Sequence, residues 1–405
     1  MPLQFTQLPF EEAIRFMRDK VRLPTRDWRG IERGMHSRAF VVAGAMKSEL
    51  LADFHEEVTK AIANGTTVAD FKKQFNSIVQ KHGWTYQGKP GWRAALIYNT
   101  NMRTAHAAGA EAQMQRTKAR RPYARYIAGL SVEPRPEHLE WHNTVLPLDH
   151  PWWHTHTPPN DWGCKCKKVS VSKREAERDG LQILDDAPRN GTYKWKDPRT
   201  GKEHTFPSGI GKFWDYNPGR AAWGQVETKR LADGAATAKW KSLDDRGPDD
   251  WDRSAVVPVD AVKKSEGPHA KKTGDVRTLL RDAVGGDDVT FKDPYGDFVN
   301  VNQGIADHIL EAPDKRVDGR ERFFPMIQET IEDPYEIWVQ FARNESTGKV
   351  ELRKRYAKMV HLDKKRTLGL IAQVHNGKWI GFDFFRGSKS AMKRLRAGML
   401  IWGRE

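Results

Sequence analysis

Four side chains near the middle of the chain, Cys164, Cys166, His138 and His142, are of the types that hold a tetrahedral zinc ion: two thiolates and two imidazoles. They fall in a stretch punctuated by Pro134, Pro136, Pro147, Pro151, Pro158 and Pro159, with Trp and His residues between the prolines. A region with so little regular structure gains most from a metal clamp. Against this reading, Cys-x-Cys is tighter than the usual zinc spacing and His154 and His156 compete as ligands, so packed thiols beside hydrogen-bonded histidines account for the same residues. A cysteine nucleophile is a third reading. Lys165, Lys167 and Lys168 would lower a thiol pKa, but no evident acid orients a nearby histidine.

The elements that must position these groups are mostly helical upstream. Phe10, Ile14 and Met17 repeat at helical spacing behind Pro9, and a longer pattern runs from about Arg29 to the stop at Asn64 and Gly65. Thr67 reads as the cap of a helix with Asp70 in its first turn and Phe71, Phe75, Ile78 and Val79 on one face, ending at His82 and Gly83. An alanine-rich helix is expected from Gly91 to about Ala119, its short side chains allowing another helix to approach. Residues 123–128 then suit a strand, and Asp197 to Lys202 suit a turn joining strands at Tyr193–Trp195 and His204–Phe206. Charge, glycine and proline without periodicity mark 244–275 as a flexible linker. Beyond it, helices are expected at 276–284, 305–312 and 320–330, strands at 336–342, 350–360, 368–375 and 379–385, and a closing helix at 390–400.

The fold expected is therefore α+β: a mainly helical N-terminal half with an irregular, Pro/Trp-rich region of small strands, then a separate small α+β domain. The divisions are 1–90, 91–243, the linker 244–275, and 276–405.

The whole chain bounds the function classes. Its 405 residues exceed one ordinary core, and 38% hydrophobic content with 15 Trp excludes a disordered chain. Net charge is +15 and the pI about 9.6, which favours polyanionic neighbours, although the excess is spread along the chain rather than gathered on one face. No apolar run is long enough to span a bilayer, so no membrane partner is expected. Met1 to Phe5 lacks the basic and apolar regions of a secretory signal, so the protein is expected to be made in a cytosol. Two cysteines make no disulfide framework. No G-x-x-x-x-G-K-[ST] loop is present, which argues against an ATP-driven motor.

Several short motifs occur in a telling order. Asn99 to Gly109 contains Arg103-Thr104-Ala105-His106; Arg135-Pro136-Glu137-His138 follows; then come Trp152-Trp153 and the run Pro158-Pro159-Asn160-Asp161-Trp162-Gly163-Cys164-Lys165-Cys166. This ordered set resembles the Mu F-like head morphogenesis family of tailed bacteriophages, and Pro207 to Gly219 resembles a segment that often follows that domain. The likeness covers about residues 30–240. Lys165 departs from the arginine more common between the cysteines, keeping the charge but losing bidentate geometry. The resemblance implies a minor head protein associated with the portal vertex, acting in capsid assembly, DNA packaging or delivery. Its implied partners are the portal protein, the major capsid or scaffolding protein and packaged DNA, and its location is the virion head after assembly in the host cytoplasm.

The C-terminal part is similar to the small phage nuclease-like domains grouped with barnase, EndoU, colicin E5/D and RelE. His308-Ile309, Arg322-Phe323, Asp333 to Trp338, Arg355-Tyr356 and Arg396-Ala397-Gly398 carry that likeness. It implies an alternative function, a packaged effector that cleaves host RNA without a metal. Such a site needs a proton acceptor, a proton donor and cations around the phosphate, for which His308, Arg322, Arg355, Tyr356 and Arg386 have the right chemistry. Each also has a structural reading, His308 as a helix cap and Arg355 as a solvent-facing strand cation. No cofactor is expected apart from the zinc considered above.

Overall fold

The capping residues set the first helices. In the computed structural model, which describes residues 10–131, 133–223, 240–261, 263–270, 275–306, 319–345, 347–363, 367–375, 378–386, 392–393 and 395–404, α1 spans Glu11–Arg18 with acids in its first turn and arginines in its last. Between α1 and the next helix, β1 (Val21–Arg22) pairs in parallel with β2 (Ala39–Phe40). Helix α2 (Ser48–Asn64) stops at Gly65, whose φ of 67° is left-handed. Helix α3 (Val68–His82) starts where the Thr67 side chain accepts from the Asp70 amide, and α4 runs Pro90–Thr117 with proline in its first turn.

The long helix expected from residue 29 begins only at Ser48. Residues 28–30 and 33–37 form 3-10 turns instead. Three glycines explain the difference: Gly44 is left-handed, and a Cβ on Gly30 or Gly34 would come within 3.0 Å of Thr25 or within 3.0 Å of Ala221.

The chain forms two units, Met1–Lys239 with Arg343–Val350, and Trp240–Ala342 with Glu351–Glu405. In the first, Phe16, Phe40, Leu51, Phe54, Phe71 and Phe75 make the helical core, and each such side chain contributes about 2–3 kcal/mol on burial. The alanine-rich face of α4 permits close packing: Ala105 and Ala108 are fully buried, and a Cβ on Gly109 would lie 2.6 Å from the Phe10 ring. After α4, β3 (Tyr123–Ile127) pairs antiparallel with both β4 (Val145–Pro147) and β5 (Lys167–Val171). Short helices α5 (Pro136–Glu140) and α6 (Trp153–His156) lie between these strands in sequence, and α7 (Lys173–Arg178) and α8 (Pro218–Trp223) follow them. Tyr126, Trp141, Trp152, Trp153 and Trp214 fill a second core. The expected hairpin is present, β6 (Thr192–Lys196) against β7 (Glu203–Pro207).

The second unit is built on a nine-stranded sheet. Its centre is a meander of β12 (Glu336–Asn344), β13 (Val350–His361), β14 (Thr367–His375) and β15 (Lys378–Arg386), antiparallel where β14 meets β13 and β15. The hairpin of β10 (Asp288–Lys292) and β11 (Phe298–Asn302) joins it through a parallel contact of β11 with β15. Helix α9 (Asp275–Val284) and helix α10 (Ile327–Glu332) supply Val276, Leu280, Ile327 and Ile331 to the core below.

Three expectations change here. Residues 244–275 are not a free linker: β9 (Asp260–Ala261) pairs with β13, and Val257 and Ala270 are buried, while β8 (Trp240–Ser242), just before this stretch, pairs with β12. The helix expected at 320–330 is a 3-10 turn, Arg320–Met326, before α10, because Pro325 lacks the amide an α-helix needs. Of the closing helix expected at 390–400, the described residues 392, 393 and 395 are helical, but its end passes into β16 (Met399–Gly403), antiparallel to β12. The helix expected at 305–312 falls mostly outside the described residues.

Candidate functional site

His138, Cys164 and Cys166 meet in the first unit. Pro136 starts α5, which carries His138, and the ring stacks on Trp141 with centroids 5.1 Å apart. The ring Nε2 lies 2.8 Å from the Gly209 carbonyl, which can only accept, so Nε2 carries the proton and Nδ1 is bare. Nδ1 faces both thiols, 3.5 Å from Cys166 Sγ and 3.9 Å from Cys164 Sγ. Among the described residues these three form the group of metal-capable side chains, their ligand atoms all within 4.8 Å of one another. His138 and Cys164 are buried and Cys166 is half-buried.

The loop that presents the thiols is held from several sides. The Gly129 amide donates to Cys166 Sγ at 3.4 Å, and a Cβ on Gly129 would sit 2.3 Å from the Lys165 carbonyl, so glycine is required for the approach. Arg103 donates to the Cys164 carbonyl at 3.2 Å, and Arg135 pairs with Asp161 at 2.8 Å. The two thiols are electrostatically unequal. Cys166 is held below the ordinary thiol range by its hydrogen bond with Cys164, then by His138 and the Gly129 amide, against the upward push of burial. Cys164 is raised by the same pairing and by burial. Burial also raises Tyr126, whose hydroxyl donates to Asn160 Oδ1 at 3.0 Å.

His142 is not part of this group. It is exposed, and its Nδ1 accepts from the Ala128 amide at 3.1 Å. Helix α5 ends at Glu140, so the four-residue spacing from His138 does not keep the two rings on one helical face. The competing histidines are engaged elsewhere, His154 with Arg220 at 2.7 Å and His156 with Asn190 at 2.9 Å. Lys168 does not flank the thiols either: its ammonium is buried against Glu111 at 2.8 Å and over the Trp153 ring.

The same unit holds a cavity of about 360 Å³ lined largely by apolar and aromatic side chains, among them Trp28, Trp92, Trp162 and Phe213. Lys20 borders it. Burial, and then the charge of Arg38, push the Lys20 ammonium down to about 7, while burial and the charge of Lys20 push His36 down to about 4.

Among the described residues of the second unit, three of the expected nuclease residues, Arg322, Arg355 and Tyr356, are each engaged in contacts within the unit. Tyr356 is fully buried, its hydroxyl donating to Asp293 Oδ2 at 2.7 Å, and burial followed by the Asp293 charge raises it. Arg355 is adjacent on β13, where successive side chains take opposite faces, and it donates to the Leu395 carbonyl at 3.2 Å. Arg322 is half-buried and pairs with Glu266 at 2.5 Å. His308 lies outside the described residues, as does the side chain of Arg386. A pair not singled out from the sequence is present: the exposed His269 meets Glu321 through Nδ1, and the fully buried Glu321 also accepts from the Ala270 amide at 2.9 Å. A carboxylate on Nδ1 leaves Nε2 free to exchange a proton. His269 lies in the stretch read as linker, where nothing periodic marks it.

Comparison with known proteins follows the same division. Residues 52–169 match the family model described as Phage Mu protein F like protein, a span that includes all three members of the histidine–thiol group. That span is Mu F-like. The chain is 35% identical over 246 residues to the putative capsid assembly protein F of Escherichia phage Mu, covering 54% of this chain and 56% of that protein. It is 33% identical over 216 residues to the Mu-like prophage FluMu F protein of Haemophilus influenzae, covering 47% of this chain and 51% of that protein. The chain thus spans about half the length of the curated relatives it matches. Residues 276–403 match a second family model, phage-Barnase-EndoU-ColicinE5/D-RelE like nuclease2, so a nuclease-like domain follows the Mu F-like part. No solved structure matches the chain.

Proposed function

We propose that the protein is a minor head protein of a tailed phage, acting in capsid assembly at the portal vertex and in DNA packaging or delivery. The observation that carries this reading is the 35% identity over 246 residues to a putative capsid assembly protein, beside a family match over residues 52–169 that includes the histidine–thiol group. Its partners are then the portal protein and the major capsid or scaffolding protein, with packaged DNA beside a chain of net charge +15. Its place is the virion head, reached from the host cytoplasm. Among the described residues no helix is long and apolar enough to cross a membrane. Purified procapsids and virions test the proposal: the chain should be present in few copies and crosslink to portal. Absence from both particles would remove the reading.

A second reading is favoured by the nuclease-like match over residues 276–403, namely cleavage of host RNA by the C-terminal unit. In the metal-independent form of that reaction a base takes the 2′-hydroxyl proton as the oxygen attacks phosphorus, and an acid returns a proton to the departing 5′-oxygen. His269, oriented by Glu321, fits either role, and Arg322 supplies a nearby cation in sequence; His308 and Arg386 are retained from the resemblance. Incubation of the full chain with RNA, beside His269→Ala and His308→Ala, should give cleavage that one or both variants lose. No cleavage over a range of pH would leave the head-assembly role alone.

A further inference from the structure

We propose that His138, Cys164 and Cys166 bind one zinc ion that ties together the irregular part of the Mu F-like region. In a tetrahedral site with Zn–S near 2.3 Å and Zn–N near 2.05 Å, sulfur and nitrogen ligands stand about 3.6 Å apart. The two Sγ to Nδ1 separations, 3.5 and 3.9 Å, bracket that value, and all three ligand atoms lie within 4.8 Å of one another.

Hydrogen bonding alone satisfies these atoms less well. The bare Nδ1 accepts one S–H proton, so the second thiol has only the neighbouring sulfur, a weak acceptor, as its partner. Zinc resolves the mismatch: it takes both sulfurs as thiolates and Nδ1 as the third ligand, releasing two protons and leaving a neutral centre. Soft sulfur with imidazole selects zinc over magnesium or calcium, which take oxygen ligands. The outer partners are also those a metal site uses. The Gly209 carbonyl fixes the histidine tautomer and the Gly129 amide donates to Cys166 Sγ.

The role is structural rather than catalytic. Helix α5 has five residues, the segment from Pro158 to Cys166 has no regular element, and Gly209 lies in the turn after β7, so the site joins three segments with little regular structure of their own. Among the described residues no fourth protein ligand joins the group, which leaves the last position to water, on the side of the half-buried Cys166.

The full chain, purified under reducing conditions and dialysed after zinc loading, should retain about one zinc per molecule. Replacement by cobalt should give thiolate-to-metal absorption. Cys164→Ser and Cys166→Ser should each weaken zinc by about 100-fold in competition with a chelator, while His142→Ala should leave affinity unchanged. Chelation should lower the melting temperature of the parent but not of Cys166→Ser, a comparison that holds even if His138→Ala does not fold. The proposal is overturned by less than a tenth of an equivalent of zinc with no cobalt–thiolate band. It is equally overturned by an intact mass showing a Cys164–Cys166 disulfide in the reduced preparation, or by His142→Ala losing zinc as fully as Cys166→Ser.

Discussion

Replacing Lys20 by methionine should stabilise the protein, by an amount that depends on pH in a calculable way. Lys20 is only 7% exposed, and among the described residues no carboxylate pairs with it. Its ammonium lies 4.6 Å from the centroid of the Phe16 ring, an attraction of about 1–2 kcal/mol that does not offset desolvation. Burial and Arg38 lower its pKa from 10.5 to about 7. A lysine with a folded pKa below its unfolded pKa binds more protons when unfolded, so stability rises with pH across the window from about 7 to 10.5 and the full penalty is felt below it. The shift sets a ceiling on the order of 5 kcal/mol at pH 6, and water in the adjoining cavity brings the expected gain for Lys20→Met to about 2–4 kcal/mol. Between pH 6 and 9 the parent should recover about 2–3 kcal/mol that the variant does not. Urea unfolding of both full-length proteins across that range reads the difference directly. A variant that is no more stable than its parent at pH 6, or that follows the same pH slope, would refute the reasoning.

Other substitutions test separate parts of the structure. Lys168→Met strands the buried Glu111 carboxylate and should cost about 3–5 kcal/mol in thermal unfolding, with most of the loss recovered by adding Glu111→Leu. Burial pushes Glu111 up but Lys168 outweighs it, leaving it below 4.5, so this pair's contribution is present above the unfolded pKa and lost as pH falls through the folded one; Glu111→Gln should flatten that acid limb. Gly129→Ala forces a Cβ onto the Lys165 carbonyl and should destabilise by about 2–4 kcal/mol while reducing bound zinc, read by chemical unfolding and metal content. Arg396→Lys keeps the charge beside Glu336 but loses the two-pronged contact at 2.5 and 2.8 Å, and should cost about 2–3 kcal/mol in urea unfolding.

The helices from Ser48 onward were legible because their ends are written in local chemistry. Thr67 with Asp70, and Gly65 and Gly83 in left-handed conformations, need no distant partner. The central strands of the second unit were legible for the same reason, since runs rich in β-branched and aromatic residues are a local signal. What failed is non-local. β8 and β9 are two or three residues long and find partners about a hundred positions away, so charged, proline-containing sequence around them reads as linker. Residues 28–47 kept an apolar rhythm compatible with helix, and only packing against Thr25 and Ala221 shows why glycine interrupts it. The site shows the same limit. Residue type pointed to Cys164, Cys166 and histidine, whereas the choice of His138 over His142 depends on α5 ending two residues before the second ring.

The strand cations carry this argument to its end. Basic residues on β13 read naturally as a solvated face, or as a surface waiting for phosphate. Instead Lys354 is held by Asp293 and Asp297, and Lys358, 1% exposed, reaches Asp260, Glu329 and Asp333. Arg396 is fully enclosed with Glu336. A buried charge is tolerated only where its counter-ion arrives in register, and these counter-ions come from the short β9, from α10 and its following turn, and from the β10–β11 hairpin. Breaking one partner therefore endangers more than one ion pair, because each acid also anchors the segment that carries it. The stretch that looks most like a tether, residues 244–275, is held to the sheet partly by these charges: Asp260 answers Lys358, and Arg253 answers Glu336 at 2.8 Å. Cations inside the second unit thus act as internal fasteners, and any nucleic-acid surface must be built from others.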